Sequence, residues 1–528
     1  MKKKNTNLEL EVKFGTKGIK PLTRNDYDNV IKKLKSFGFT TPDSVGNYYL
    51  RINSEYLDSM SGRFKLSDIR TEISGLHNIQ NYCINNDIAE VIKNNFTCVT
   101  FENKRLAQDA NKQRIFPVDF NEFNFRVSYS TETAVKNGIQ TYIIDSWKKS
   151  KKTFRYLNRV TFRHPDYPFK LDISIVKNGN VIEGGRGEHQ MKRVYTTQES
   201  NIFNNQEIYQ IEIEVDNAKI GPGTTHKSPK LILESLRKVI KFVLGGLQGT
   251  NYPISYPEQR EVLTSYMKIV HGEDYDQTKR IDNRNFIGPN SSTLQRVNIA
   301  PLEENTNQIN IRKDFVVTDK ADGDRHLMII NNVGKIYLIN TNMDVIFTGA
   351  KTLNSGSFNT IIDGELISRD KSGVFINLYA AFDIYYLKKV DVRHYTFLLL
   401  EKEADGNKSR YYLLKSVVNA LNPVSIMDVN VKDKGSVKSI VDLLKNSKNI
   451  LSPIRITTKE FYPLSPKETI FSGCNQILTK VRENRFEYET DGLIITHAFY
   501  GVGSDKIGVS GLKAKIGWDY SFKWKPPK

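Results

Sequence analysis

Leu8-Glu9-Leu10-Glu11-Val12-Lys13-Phe14 is the stretch that decides the fold of the first part of the chain. Read with a period of two, Glu9, Glu11 and Lys13 share one face of a strand, and Leu8, Leu10, Val12 and Phe14 share the other. The layout recurs at Ile211-Glu212-Ile213-Glu214-Val215-Asp216, where Glu212, Glu214 and Asp216 lie on one face. Like charges side by side on a strand repel. They are tolerated when solvated, as on an ordinary half-exposed strand, or when a cation lies between them. Hard carboxylate oxygens on neighbouring strands suit Mg²⁺ or Mn²⁺.

Between the two acidic strands lie further β-rich stretches, Asn124 to Ser130, Arg159 to Arg163 and Phe169 to Val176, with Ile208 to Val215 closing the series. They carry Arg126, Arg159, Arg163 and Lys170. A closed sheet with acids on one wall and bases on the others holds a metal and a polyphosphate together. Helical patterns interrupt the strands at Arg24 to Phe37 and around Ile88 to Lys93. A Gly-Pro-Gly turn at 221–223 precedes an amphipathic helix from Ser228 to Leu244, with Ser228 as N-cap, Pro229 at the first helical position, and Gly245, Gly246 and Gly249 ending it. This places a domain boundary near residue 245, giving domains 1–245 and 246–528. The stretch from there to about residue 310 reads as polar and loop-rich.

Composition narrows the partners. The 528 residues include 77 Lys and Arg against 59 Asp and Glu, a net charge of +18, which favours a polyanion such as nucleic acid. Cys83, Cys98 and Cys474 are too far apart for a zinc spacing or a disulfide framework. The basic start runs into a charged alternating segment, so it does not read as a signal peptide. No apolar run approaches the roughly 18 residues that span a bilayer. The most apolar helix, Leu231 to Leu247, is broken by Glu234, Arg237, Lys238 and Lys241.

In the second part strands and helices alternate, with helices expected near Lys415 to Leu421 and Ser436 to Lys445. Its most informative segment is Thr318-Asp319-Lys320-Ala321-Asp322-Gly323-Asp324-Arg325. A lysine amine attacks phosphorus only when deprotonated, and burial or neighbouring cations favour that form. Gly323 permits a tight turn beside a nucleotide, and Arg325 offers a fork of donors. Four segments follow in order: Ile361-Ile362-Asp363-Gly364-Glu365-Leu366, Phe382-Asp383-Ile384, Thr490-Asp491-Gly492-Leu493 and Phe522-Lys523-Trp524-Lys525-Pro526. The last places Lys523 and Lys525 on one strand face.

The E-L-E-V-K and E-I-E-V-D segments resemble the paired glutamate motifs of triphosphate tunnel metalloenzymes. That resemblance covers about the first 215 residues. It implies an antiparallel eight-stranded β-tunnel in which Glu9, Glu11, Glu212 and Glu214 hold the metal and Lys13, Arg126, Arg159, Arg163 and Lys170 grip the triphosphate. Asp172 and Glu132 are further tunnel acids. The ordered set from Lys320 to Lys525 resembles the covalent nucleotidyltransferase superfamily of guanylyltransferases and polynucleotide ligases. It implies an α+β, ATP-grasp-like domain in which Lys320 forms the lysyl-nucleotide. Arg325, Glu365 and Asp491 then serve ribose, phosphate or metal, Phe382 stacks on the base, and Lys523 and Lys525 contact the α-phosphate.

Two features favour capping over ligation. K-W-K-P is the guanylyltransferase form, and a tunnel domain comes first. Fusion in this order resembles mRNA capping enzymes of large cytoplasmic DNA viruses, as does Asn285-Phe286-Ile287-Gly288-Pro289. The resemblance implies 5′-triphosphate RNA and GTP as substrates and no membrane. It also implies a methyltransferase-stimulating subunit or RNA polymerase as partner, and a soluble, unsecreted protein of the host cytoplasm or virion. The sequence departs from the family at Tyr337 to Asn342, where many capping enzymes have an Asp-Arg pair. It stops at Lys528, before the family's OB-fold and methyltransferase, so a truncated enzyme is expected. The competing readings are an ATP-dependent polynucleotide ligase with an N-terminal polyphosphatase-like or RNA-binding domain, and a non-catalytic RNA-binding scaffold.

Overall fold

The computed structural model describes residues 6–15, 20–42, 47–183, 189–302, 308–399, 409–426, 452–463 and 468–526. The helix expected at Ser436 to Lys445 lies outside the described residues. The chain packs as two units, Met1–Gly249 and Thr250–Lys528.

The first unit is a closed antiparallel barrel of eight strands. In chain order they are β1 (Thr6–Phe14), β2 (Asn47–Asp58), β3 (Ile69–Ser74), β4 (Val99–Leu106), β5 (Phe125–Ala134), β6 (Lys152–Arg163), β7 (Phe169–Asn178) and β8 (Ile208–Val215). Around the barrel they run β1-β8-β7-β6-β2-β3-β4-β5, and β5 pairs back onto β1. Closure leaves no free edge in this ring. The register sets Glu11 opposite Glu214 on one side of β1 and Lys13 opposite Arg126 on the other.

The barrel is inverted relative to most: its apolar face is outside, under helices. Val12, Phe14, Leu171, Ile173, Ile211 and Ile213 pack against α1 (Arg24–Ser36) and α2 (Pro229–Gln248). The opposite flank, Leu50, Ile52 and Ile73, packs under Ile79, Tyr82, Val91 and Trp147 from short helices that the β-rich pattern only partly announced. The charged face is thereby directed into the lumen.

α2 runs past the expected stop. Gly245 and Gly246 lie inside it, and the left-handed Gly249 caps it. The reason is packing. A Cβ on Gly246 would sit 2.8 Å from the Val30 Cα, so this glycine permits α1 and α2 to touch. The boundary between the units consequently falls after Gly249.

In the second unit, α3 (Tyr256–His271) occupies part of the stretch expected to be loop. Its polar composition hides an apolar stripe of Val262, Tyr266, Met267, Ile269 and Val270, started by the Ser255 cap. A four-stranded sheet orders β9 (Asn290–Thr293), β18 (Gly517–Trp524), β17 (Thr490–His497) and β10 (Phe315–Ala321). A larger sheet orders β15 (Phe375–Leu387), β14 (Thr360–Arg369), β11 (Asp324–Ile330), β12 (Lys335–Asn340) and β13 (Val345–Lys351), with β16 (Arg455–Thr458) parallel to β15. Helices α4 (Arg410–Leu421) and α5 (Ile470–Arg482) cover the sheets, so the unit is α+β.

Gly246→Val is expected to cost roughly 1–3 kcal/mol by overpacking the α1–α2 contact. Gly138→Ala, where a Cβ meets nothing within 4 Å, is expected to cost nothing. Denaturant melts of the two variants check this, and equal stability would contradict the packing role.

Candidate functional site

Two cavities gather the charged residues, one in each unit. The first is the barrel lumen, about 300 Å³, lined by Glu9, Glu11, Glu212 and Glu214 together with Lys13, Arg159 and Lys170. Strand alternation also brings in residues that motif reading missed: Arg51, Arg70, Glu72, Glu102, Lys104 and Arg155. The signal for two of them was present as alternation in Ile69-Arg70-Thr71-Glu72-Ile73.

Nearly every lumen charge has a partner. Lys13 meets Glu212 at 2.6 Å, Lys170 meets Glu214 at 2.9 Å, and Lys104 meets Glu9 at 2.5 Å and Glu11 at 3.2 Å. Arg159 donates to Asp172 at 2.7 Å and to Glu212 at 3.2 Å. Glu132 lines the lumen and meets Arg70 at 3.3 Å.

Arg126 and Arg163 do not line the cavity among the described residues. Each is drawn to a carboxylate outside it, Arg126 to Asp119 at 2.6 Å and Arg163 to Asp216 at 2.9 Å. Parity puts both on the inner face, but their positions near the strand ends leave them at other acids.

The lumen acids do not titrate alike. Burial pushes Glu212 up, but Lys13 and Arg159 outweigh it and hold the carboxyl below the usual range. Burial pushes Glu214 up to about 7; Lys170 opposes this, while Glu9 and Asp172 add to it. Among the described residues no three acid, His or Cys side chains form a ready metal cage. The donor set nonetheless fits a hard divalent cation. It is all carboxylate oxygen from adjacent strands, with Glu11 of β1 directly opposite Glu214 of β8.

The second cavity, about 160 Å³, lies between the sheets of the second unit. Thr318 and Lys320 of β10 face it from one side, and Glu365 of β14 and Phe382 of β15 from the other. Lys320 Nζ lies 2.8 Å from Asp491 Oδ1, and Lys525 Nζ lies 2.6 Å from Asp491 Oδ2. Burial raises the Asp491 carboxyl, but hydrogen bonds from the two lysines prevail and hold it below its ordinary value. Lys523 does not join this cluster. It is exposed, opposite Ile494 in the β17–β18 register.

Arg325 lines the cavity, but its donor fork is spent. Nε and Nη2 donate to Asp363 at 3.1 and 2.5 Å, and Nη1 donates to the Pro289 carbonyl at 2.8 Å. Its guanidinium lies between two rings, 5.5 Å from the Phe286 centroid and 5.8 Å from that of Phe382. Gly323 allows close approach of its turn: a Cβ there would meet Glu365 Cγ at 2.8 Å. Motif reading also missed buried Lys459, which lines the cavity and meets Asp319 at 3.1 Å beside Lys320.

With this geometry in view, comparisons with known proteins align the chain with a probable mRNA-capping enzyme of Acanthamoeba polyphaga mimivirus, 25% identical over 330 residues. The sequence is similar to a viral capping enzyme. The match covers 60% of this chain and 25% of the mimivirus protein. No family model matches. Among solved structures, the RNA triphosphatase domain of a trifunctional mimivirus mRNA capping enzyme aligns with 45% of this chain and 89% of its own, at 15% identity and a TM-score of 0.28. An RNA triphosphatase of S. pombe aligns over 45% and 84%, at 12% identity and a TM-score of 0.23. The closed strand pairing, rather than these scores, carries the fold. No described helix is long and apolar enough to cross a membrane.

Burial raises Glu365 to about 7, with Asp363 adding to it and Lys459, Arg325 and Lys320 opposing. An acid whose folded value is raised binds more protons when folded, so stability falls as pH climbs from the unfolded value of about 4.5 to about 7. Glu365→Gln removes that dependence. The melting temperature of the variant relative to the unaltered protein is expected to rise across this window. A constant difference from pH 4.5 to 7.5 would contradict the assignment.

Proposed function

We propose that the chain carries two successive steps of mRNA 5′ capping: removal of the RNA 5′ γ-phosphate in the barrel, then transfer of GMP from GTP through Lys320. What carries the reading is the placement of Lys320. Lys320 lines a cavity together with Glu365 and Phe382, and its nitrogen shares one carboxylate, Asp491, with Lys525.

In the barrel, Lys13, Arg159 and Lys170 hold the triphosphate oxygens, releasing their present carboxylate partners to do so. Glu9, Glu11, Glu212 and Glu214 are the residues that would hold Mg²⁺ or Mn²⁺, which supplies an activated water and neutralises phosphoryl charge when bound. Enclosure by the barrel keeps these charges in a low-dielectric space, where each contact counts for more than in water.

In the second unit, Lys320 leaves Asp491, gives its ammonium proton to solvent, and its free amine bonds the α-phosphorus of GTP as the bond to pyrophosphate breaks and pyrophosphate departs. Phe382 stacks on the base, and Arg325, held by Asp363, fixes the edge of that pocket. Glu365 and Asp491 take ribose or metal roles, and Lys523 and Lys525 attend the phosphates. The β-phosphate oxygen of the RNA diphosphate end then attacks the same phosphorus, and the nitrogen–phosphorus bond breaks.

The two sites are separable. Glu9→Ala or Glu214→Ala is expected to lower γ-phosphate release from triphosphate-ended RNA by about a hundredfold or more, with labelling from α-labelled GTP unchanged. Lys320→Ala is expected to abolish labelling and spare phosphate release. Retained release in both glutamate variants would remove the barrel assignment. Labelling by ATP in place of GTP would replace capping with ligation.

A further inference from the structure

Away from the lumen, the first unit carries a surface where exposed rings alternate with cations. β2 pairs with β6 as far as Ser54 opposite Lys152. Beyond that point it pairs with the strand Arg63–Leu66, forming a two-stranded ribbon that extends past the ring of eight strands. A ribbon of two strands has little to bury its side chains against, and Tyr56, Leu57 and Phe64 are exposed on it. Two further segments close on the ribbon. The Glu55 N–H donates to the Lys151 carbonyl at 2.8 Å, and the Lys151 N–H donates to the Glu55 carboxylate at 3.0 Å. Arg193 donates to the Phe64 carbonyl at 3.1 Å. Exposed Tyr195 carries Lys151 Nζ over its ring, 5.7 Å from the centroid.

The exposed charge of these segments has one sign. Arg63, Lys65, Lys149, Lys151 and Lys192 are exposed. The acids of the same segments, Glu55 and Asp58, are sunk beneath them, with side chains 9% and 16% exposed. Asp58 engages Lys65 at 2.5 Å, and Glu55 lies 3.8 Å from Arg193. Arg63, Lys149, Lys151 and Lys192 make no ion pair among the described residues. Open ring faces beside cations without acids suit a flexible polyanion whose units carry π faces. An apolar ribbon alone would suit a protein; the one-sided charge favours nucleic acid.

We infer that this surface binds single-stranded RNA, its bases stacking on Tyr56, Phe64 and Tyr195 and its phosphates meeting the lysines and Arg63. The inference rests on the reading of the chain as acting on RNA 5′ ends, and it assigns a place to the body of the strand rather than to its terminal phosphates. Stacking accepts any base, so the surface holds transcripts without regard to sequence.

The test is fluorescence anisotropy of a 3′-labelled single-stranded RNA with a 5′-hydroxyl end, titrated with the whole chain in excess chelator over a range of salt. This probe has no 5′-phosphate for either reaction site. The unaltered protein is expected to bind. Lys151→Gln with Lys192→Gln is expected to weaken binding about tenfold and to lower the slope of log affinity against log salt by about 1.4, roughly 0.7 for each lost phosphate contact. Tyr195→Ala is expected to weaken binding about tenfold with the slope unchanged, as for a lost stacking face. Lys230→Gln with Lys238→Gln removes the same charge from exposed positions of α2 and is expected to leave binding within about twofold. Equal weakening in both lysine pairs would reveal diffuse attraction and overturn the inference. So would unweakened binding in Tyr195→Ala, or equal affinity for a blunt RNA duplex. Absence of binding overturns it too and leaves the ribbon as a protein-docking surface. No arm reads γ-phosphate release or GMP transfer, so failure of those reactions is seen separately.

Discussion

Closure of the barrel by β1 is the constraint on which the first unit depends. This strand pairs with β8 on one side and β5 on the other, so its charged face has nowhere to go but inward. A slip of one residue would direct Leu10 and Val12 into the lumen and Glu9 and Glu11 into the apolar layer beneath α1 and α2. Closed pairing and strict alternation together fix which charges meet. Once enclosed, those charges must be matched, because an unpaired ion in a low-dielectric space is expensive. The lumen is accordingly a lattice of acid–base pairs, Lys13 with Glu212, Lys104 with Glu9 and Lys170 with Glu214 among them.

The same constraint shapes the second unit in a different way. Its buried charges, Asp363, Lys459 and Asp319, are matched, Asp363 by Arg325 and Lys459 by Asp319, and these pairs serve as struts. The groups in which chemistry is proposed are more open: the side chains of Lys320 and Asp491 are 24% and 29% exposed. Fixed pairs define the walls, and the shared Asp491 carboxylate leaves a nucleophile able to exchange one partner for another. The acids differ to match. Asp491 is held low by two lysines, while Glu365 is pushed up by burial, so one keeps its charge at neutral pH and the other is poised to change it.

Much of this was legible in the sequence, for physical reasons that vary by element. The period of two in Leu8 to Phe14 and Ile211 to Asp216 names the lumen residues directly, because the strand has only two faces. Lys320, Glu365 and Phe382 lie far apart in the chain, yet they line one cavity. What escaped reading was partner choice. Parity places Arg126 and Arg163 on the inner face but cannot foresee that Asp119 and Asp216 claim them. Arg325 carries the right donors, and only the register of β11 with β14 reveals that Asp363 already occupies them. α3 was hidden because its exposed side is polar enough to resemble loop, and α2 outran its glycines because Gly246 serves a helix contact.

The central claim is that a phosphorus–nitrogen bond forms at one lysine. Peptide mapping by mass spectrometry after incubation with GTP tests it most directly. The account predicts a GMP adduct on the peptide containing Lys320, stable to alkali and lost in acid. An adduct confined to another residue, or none under conditions where GTP demonstrably binds, would contradict it.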